Sequence, residues 1–191
     1  ILLIGAGGHA KSCIDVIEME KKYKIVGLID KYNNNKKLFK YQIFNDDQNL
    51  DLIYKKSKNI LIAIGQIKNP NIRIKIYNNL KKYGFNFPII KSPLSYISKN
   101  VNISEGTIIM HHCLVNSGSS IGKNCIINSK SLIEHDVQIN DYCHISTSVV
   151  INGDVRIGKK VFIGSNSTIS NSITIKDNVF IPATSFVKKN V

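Results

Sequence analysis

The sequence predicts a two-part chain, an α/β unit followed by a parallel β-helix, and three observations carry that expectation. From Ile97 to Val187 every sixth residue is Ile or Val without a slip, sixteen positions in all. A period of six fits neither a lone helix nor a free strand, whose periods are about 3.6 and 2, but it is the signature of a hexapeptide-repeat β-helix. Ahead of the repeat, short apolar runs alternate with helical segments, the order that builds a parallel sheet from βαβ units. The first of those runs leads straight into Gly5-Ala6-Gly7-Gly8-His9-Ala10, a glycine-rich passage from strand to helix.

The elements of the first unit follow in order. Ile1 to Ile4 is a buried strand, and Lys11 to Glu20 is an amphipathic helical stretch. A second strand, Lys24 to Asp30, ends in a carboxylate, and a third runs from Asn59 to Gly65. The helix after it has Asn69 as N-cap, Pro70 at its first position and Gly84 just past its end. Phe87 to Lys91 forms a further strand, and Ser92-Pro93 makes the junction. The expected domains are therefore a Rossmann-like unit over residues 1–92 and a β-helix over 93–191. Gly5-x-Gly7-x-x-Ala10, with Asp30 twenty residues on, fits the Ala form of the dinucleotide fingerprint. The glycines would let backbone N–H groups approach a phosphate while Asp30 meets a ribose hydroxyl. The alternative is that they merely pack the helix on the strand. Some ninety residues make only half of a two-lobed dinucleotide domain, so one nucleotide fits better than NAD.

In the second unit the Ile/Val column points inward. Four residues after each member come mostly small or β-branched side chains, among them Cys113, Ser119, Cys125, Ser131, Cys143, Val149 and Ser167. One residue after come Asn116, Gly122, Asn128, Asn140, Asn152, Gly158 and Gly164, types that tolerate a left-handed backbone and so mark the expected corners. Three sides of six residues make an 18-residue coil, so residues 97–187 stack about five coils at the usual strand spacing of about 4.8 Å.

Composition narrows the function. With 191 residues, 43% apolar and 20% charged, the chain can bury a core. Its net charge of +13 comes from 24 lysines but only two arginines, Arg73 and Arg156. Nucleic-acid readers lean on Arg for bidentate contacts, so the charge is read as a solvated lysine surface or as attraction for an anionic small substrate, and no nucleic-acid partner is expected. No apolar run reaches the roughly 18 residues of a membrane span, and the start lacks the basic flank and cleavage pattern of a signal peptide. A cytoplasmic protein without membrane insertion is expected, missing a residue or two ahead of Ile1.

Chemistry concentrates at one corner. His135 stands between Glu134 and Asp136, and a carboxylate that holds the ring tautomer raises imidazole basicity toward that of a general base. One coil on is Gly153, expected to leave open space beside the imidazole for a thioester. His144 is either a ligand contact or surface, and His111 and His112 are expected to decorate the surface. Histidine spacings of 23 (His112 to His135) and then 9 do not match the trimeric prism-fold carbonic anhydrases, so no metal is expected. Cys113, Cys125 and Cys143 occupy the small repeat position as core filler, and none is placed as an activated nucleophile.

These stretches resemble the NeuD/PglD family of bacterial sugar acetyltransferases. The likeness runs through Gly5 to His9, Gly27 to Tyr32, Ala63 to Gly65 with Arg73 to Tyr77, Ser131 to Asp136, and Ile145 to Val155. It implies left-handed coiling of the β-helix and a homotrimer with the prisms side by side. It also implies His135 as the base that deprotonates the acceptor, assisted by Asp136 or Glu134. Gly7, Gly8, His9, Asp30, Lys31 and Gly65 would hold the nucleotide of a sugar substrate, with Asn128 near the reacting amine or serving only as a corner residue. His144, Gly153, Ser165 and Ala183 would line a groove for acetyl-CoA, the co-substrate. Family members run on past the last coil, so the C-terminal end is expected to be incomplete.

The leading expectation is N-acetylation of a UDP- or GDP-linked 4-amino-4,6-dideoxy sugar. O-acetylation of a sialic acid is the alternative within the same class, and a non-catalytic trimeric scaffold is the alternative outside it.

Overall fold

The computed structural model describes residues 1–45, 49–67 and 69–191. It comprises two compact units, Ile1–Gly65 with Asn71–Pro88, and Gln66–Pro70 with Ile89–Val191.

The first unit contains β1 (Leu2–Ile4), α1 (Gly8–Glu20), β2 (Gly27–Ile29), β3 (Lys37–Leu38), β4 (Tyr41–Phe44), α2 (Leu50–Lys56), β5 (Ile60–Ile62) and α3 (Asn71–Tyr83). The sheet order is β3-β4-β2-β1-β5, and every pairing is parallel except that of β3 with β4. Leu2, Leu3, Leu28 and Ile60 are fully buried, because strands covered on both faces are apolar at every position. From α1, Ala10, Cys13, Ile14, Val16 and Ile17 are buried, the stripe of an amphipathic helix. α3 starts one residue after Pro70 and stops at Gly84, whose φ of 100° a side chain would resist. The strand expected over Phe87 to Lys91 is corrected: Ile90–Lys91 pairs with Ile108–Ile109 and so belongs to the second unit. Beside β5 there is instead a single bridge, Asn59 with Asn86.

The second unit is a three-sided parallel β-helix of the left-handed hexapeptide type. Its faces are ladders of two-residue strands. The Tyr96 face has six strands, from Tyr96–Ile97 to Phe186–Val187; the Asn102 face has five, from Asn102–Ile103 to Thr174–Ile175; the Ile90 face has six, from Ile90–Lys91 to Phe180–Ile181. Register advances by 18 residues, as in Leu114 to Leu132 to Val150. The inward Ile/Val column and the small residues beside it form one continuous core running from Ile109 to Ile181.

The corners differ from expectation in a consistent way. Every sixth residue from Gly106 to Thr184 has a positive φ, between 52° and 81°, and these residues lie three places after the Ile/Val column rather than one. They include Lys130, Tyr142 and Thr184, which propensity disfavours there. The gain is a hydrogen bond: the left-handed turn aims the N–H at the preceding coil, as in Asp136 N–H to the Ser117 carbonyl at 3.1 Å and Asp154 N–H to the His135 carbonyl at 3.0 Å. The Asn and Gly one place after the column have another cause, close stacking. A methyl group at Gly164 would lie 2.3 Å from the Ala183 nitrogen, and one at Gly158 2.5 Å from the Asp177 nitrogen. Asn140 and Asn152 instead donate side-chain N–H to the Ile157 and Ile169 carbonyls.

The small residues are also donors. Thr107, Ser119, Ser131 and Ser167 each give their hydroxyl to the carbonyl fifteen residues on. Cys113, Cys125 and Cys143 do the same with their thiols, at 3.0 to 3.2 Å. Burial pushes the Cys113 thiol up to about 11 and raises Cys143 well above an ordinary thiol, so both are neutral donors at pH 7. Among the described residues no helix is long and apolar enough to cross a membrane.

Candidate active site

The corner after Leu132–Ile133 on the Tyr96 face carries Glu134, His135 and Asp136. Asp136 has the left-handed backbone of that corner, φ 60°. Its carboxylate lies against Gly118 one coil back, where a methyl group would meet Oδ1 at 2.2 Å. From there Oδ2 reaches His135 Nδ1 at 2.9 Å, with side chains 62% and 64% exposed. That hydrogen bond holds the imidazole pKa above its ordinary value; desolvation opposes the rise, and the charges of Asp136, Glu134 and Asp154 add to it. Glu134 does not touch the ring: its Oε2 accepts from Asn116 Nδ2 at 2.6 Å.

Gly153 holds a surprise. The space above it is taken by His135 itself, since a methyl group there would lie 2.5 Å from Nε2 and 2.6 Å from Cε1. The expectation of a gap beside the ring is therefore corrected: glycine is needed so that the imidazole can lie against the next coil.

The other expected residues of this unit lie elsewhere on the prism. Asn128, Ser165 and Ala183 are at the corner between the Ile90 and Tyr96 faces. Asn128 Oδ1 accepts the Ser129 N–H at 2.9 Å, Ser165 shares a 2.9 Å hydroxyl contact with Ser146, and Ala183 is exposed. His144 is on the Ile90 face, 7% exposed and edge-on to Phe162 at 5.2 Å. Within one chain the His135 corner and the Asn128 corner are thus separate. His111 is half-buried and bonded through Nδ1 to Ser92 Oγ at 2.6 Å, which corrects its assignment to plain surface; His112 is exposed.

In the first unit, Gly5 makes the turn after β1 with φ 103° and sits against Ala63 and Ile64. Asp30 accepts the Ala6 N–H at 2.8 Å and the Tyr32 N–H at 3.0 Å, while Asn33 Nδ2 holds the Ala6 carbonyl at 3.2 Å. The carboxylate at the end of β2 thus fixes the shape of the glycine loop. Gly7 and Gly8 are exposed with open space around them, and Gly7 caps α1 without a side-chain bond, so first-turn N–H groups face outward. His9 lies beside Gly65, where an added methyl group would meet its Cβ at 3.6 Å, and Lys31 is exposed. Arg73 is buried and donates to the Ile62 and Ile64 carbonyls at 2.8 and 2.6 Å, tying α3 to the end of β5.

Residues 1–80 match the PglD N-terminal domain. Residues 118–153 match the bacterial transferase hexapeptide (six repeats), and 154–189 the hexapeptide repeat of succinyl-transferase. The chain thus carries a match to the PglD N-terminal domain followed by matches to hexapeptide repeats. By sequence alone, none of the curated proteins matches this chain. Among solved structures, it is similar to a mutant of perosamine N-acetyltransferase from Caulobacter crescentus in complex with CoA and GDP-perosamine, with a TM-score of 0.93 and 22% identity over 100% of this chain and 89% of that one. It is also similar to the acetyltransferase domain of PglB from Neisseria gonorrhoeae, with a TM-score of 0.90 and 24% identity over 100% and 91%. For the same domain in complex with acetyl coenzyme A the TM-score is 0.86, at 24% identity over 97% and 91%. At these identities the likeness is one of fold.

Several residues that shape these two regions carry no local signal in the sequence. Gly118 and Asn33 act through residues 18 and 27 positions away, and Gln66 bonds to residues on the Ile90 side of the prism. Asp154, one coil after Asp136, was findable from the 18-residue period. Among the described residues no group of three or more His, Cys, Asp or Glu could hold a metal ion.

Proposed function

We propose that the chain is an acetyl-CoA-dependent sugar acetyltransferase that N-acetylates a nucleotide-linked 4-amino-4,6-dideoxy sugar, with His135 as general base. The observation that carries this reading is the His135–Asp136 contact. A carboxylate can only accept, so Nδ1 carries the proton and Nε2 of the neutral ring holds the lone pair. Nε2 takes the proton from the acceptor amine as its nitrogen adds to the acetyl carbon, and Asp136 stabilises the imidazolium that results; the C–S bond of the thioester then breaks and CoA leaves as its thiol with the imidazolium proton, which restores the neutral base. Acetyl-CoA supplies the acetyl group as a thioester. Its expected contacts suit a long, partly apolar ligand: Ala183 is exposed, Ser165 is half-buried, and the Phe180 ring, 50% exposed, stacks on Phe162 at 5.0 Å. In the first unit, the open glycine loop with Lys31 close in sequence to Asp30 suits the phosphates of a nucleotide. The fold likeness to enzymes crystallised with CoA and GDP-perosamine supports N- over O-acetylation.

The active unit is a homotrimer. The outward column of the Tyr96 face is apolar at five of its six positions, reading Tyr96, Leu114, Leu132, Val150, Thr168 and Phe186, whereas the Asn102 face shows Asn102, Ser120, Gln138, Arg156 and Thr174. The apolar face borders His135, so a neighbour packed there would bring its own groove residues to the base. Light scattering should then give three times the 21.4 kDa chain mass.

The test is free-thiol release from acetyl-CoA with UDP- and GDP-linked 4-amino sugars beside free and CMP-linked sialic acids. Turnover with an amino sugar supports the proposal. Turnover with only a sialic acid replaces it with O-acetylation, and silence with every acceptor favours a scaffold.

A further inference from the structure

The β3–β4 hairpin turns through Phe39 and Lys40, the two residues between the paired Leu38 and Tyr41. Phe39 has φ 54°, a left-handed conformation of the kind that two-residue hairpin loops use and that glycine or asparagine normally supplies. A bulky residue there is strained, and burial does not offset the strain, because Phe39 is 62% exposed. The tip is held against α1: Lys40 Nζ lies 2.8 Å from Glu18 Oε1, and the Tyr41 hydroxyl donates to the same oxygen at 2.6 Å. Lysines surround it. Lys36 and Lys37 lead into the turn, and Phe39 shares a cleft with Lys11, Ile14 and Asp15 of α1. On the far side of Lys40 a second cleft adds Lys21 and Lys24 beside Tyr23. Over residues 11–24 and 36–41 there are seven lysines, all exposed, against the three acids Asp15, Glu18 and Glu20.

We infer that this hairpin is a peripheral membrane contact, in which Phe39 enters the headgroup layer of an anionic bilayer while the surrounding lysines meet the lipid phosphates. A strained and exposed ring gains nothing from its own fold, so the gain lies in what it touches outside. The lysines say what that is. Lysine is depleted from protein interfaces, whereas a compact, hydrated charge on a flexible stem suits the diffuse negative potential of a lipid surface. Each lysine near such a surface strengthens binding roughly fivefold, and the ring supplies the apolar share of an interfacial contact. The contact is adsorption without a span, as among the described residues no helix is long and apolar enough to cross. It stands apart from acetyl transfer, because the hairpin contributes no residue to the proposed site.

The chain has no tryptophan, so Phe39→Trp installs a single fluorescent reporter at the tip. Its emission should shift to the blue when vesicles of equimolar phosphatidylcholine and phosphatidylglycerol are added to the full chain. It should stay unshifted with phosphatidylcholine alone, and high salt should reverse the shift. Co-sedimentation of the unmodified protein with the same vesicles gives its partition coefficient. Phe39→Gly should lower that coefficient roughly tenfold, the loss of one apolar ring, and Lys36→Gln with Lys37→Gln roughly tenfold or more. Glycine also relieves the left-handed φ, so the melting temperature of Phe39→Gly should hold or rise while binding falls, with acetyl transfer in solution unchanged. No binding to the anionic vesicles overturns the inference, as does equal binding to phosphatidylcholine alone. A lower melting temperature with binding retained makes Phe39 a structural residue and overturns it too. Self-association that Phe39→Gly abolishes, without vesicle binding, assigns the tip to a second copy of the chain instead.

Discussion

His135 lies on Gly153: the backbone one coil further along is the floor under its imidazole, and a methyl group at that position would come within 2.5 Å of Nε2. Gly153 does not need its glycine for a positive φ, so Gly153→Ala should fold while pushing the ring aside. Displacement of a general base by about 1 Å costs on the order of 10^2 in rate. Acetyl transfer should fall by about that factor with little change in the melting temperature.

Asp136→Asn separates position from basicity. The carboxylate raises the imidazole pKa, and the base works only when neutral, so the acid limb of the rate profile should move to lower pH in the variant. Its plateau should nonetheless drop, because an amide no longer compels the Nδ1–H tautomer. The same contact stabilises the fold fully below the imidazole pKa of the unfolded chain, and that contribution is lost as pH rises through the raised folded value. A pH series of initial rates and melting temperatures checks both signs.

The donor column makes a stability prediction. Ser131 is buried and gives its hydroxyl to the Ser146 carbonyl at 2.9 Å. Ser131→Ala should cost about 1 to 2 kcal/mol in urea unfolding. Ser131→Cys should cost less, since Cys113, Cys125 and Cys143 make the equivalent bond.

Gly164→Ala tests coil spacing. Its methyl would meet backbone, the Ala183 nitrogen at 2.3 Å, and cannot be relieved by a side-chain rotation. A loss of roughly 1 to 3 kcal/mol is expected from overpacking, read as a lower melting temperature and faster proteolysis near the C-terminal coils.

The architecture was legible because the β-helix repeats one burial pattern, and an inward column of Ile and Val survives every change of corner residue. The corners were not, since Lys130, Tyr142 and Thr184 adopt a left-handed backbone against their own propensity, driven by an N–H bond to the preceding coil. Of the first unit, β3, β4 and α2 escaped notice: β3 has two residues and neither is buried, β4 buries only Ile43, and α2 has seven residues with only Ile53 buried. At the candidate site, the triplet around His135 is contiguous and could be read directly. Asp136 rather than Glu134 meets the ring, because the neighbouring coil supplies Asn116 for one and Gly118 for the other. Gln66 and His144 meet across 78 residues, a pairing no local pattern encodes.

Everything proposed for the chemistry turns on His135 as the base for acetyl transfer to an amino sugar. The most direct measurement is the turnover of His135→Ala with acetyl-CoA and the preferred nucleotide-linked amino sugar, both saturating. A fall of about 10^2 or more is expected, with KM values and melting temperature nearly unchanged. Turnover within a few-fold of the unmodified protein would contradict it.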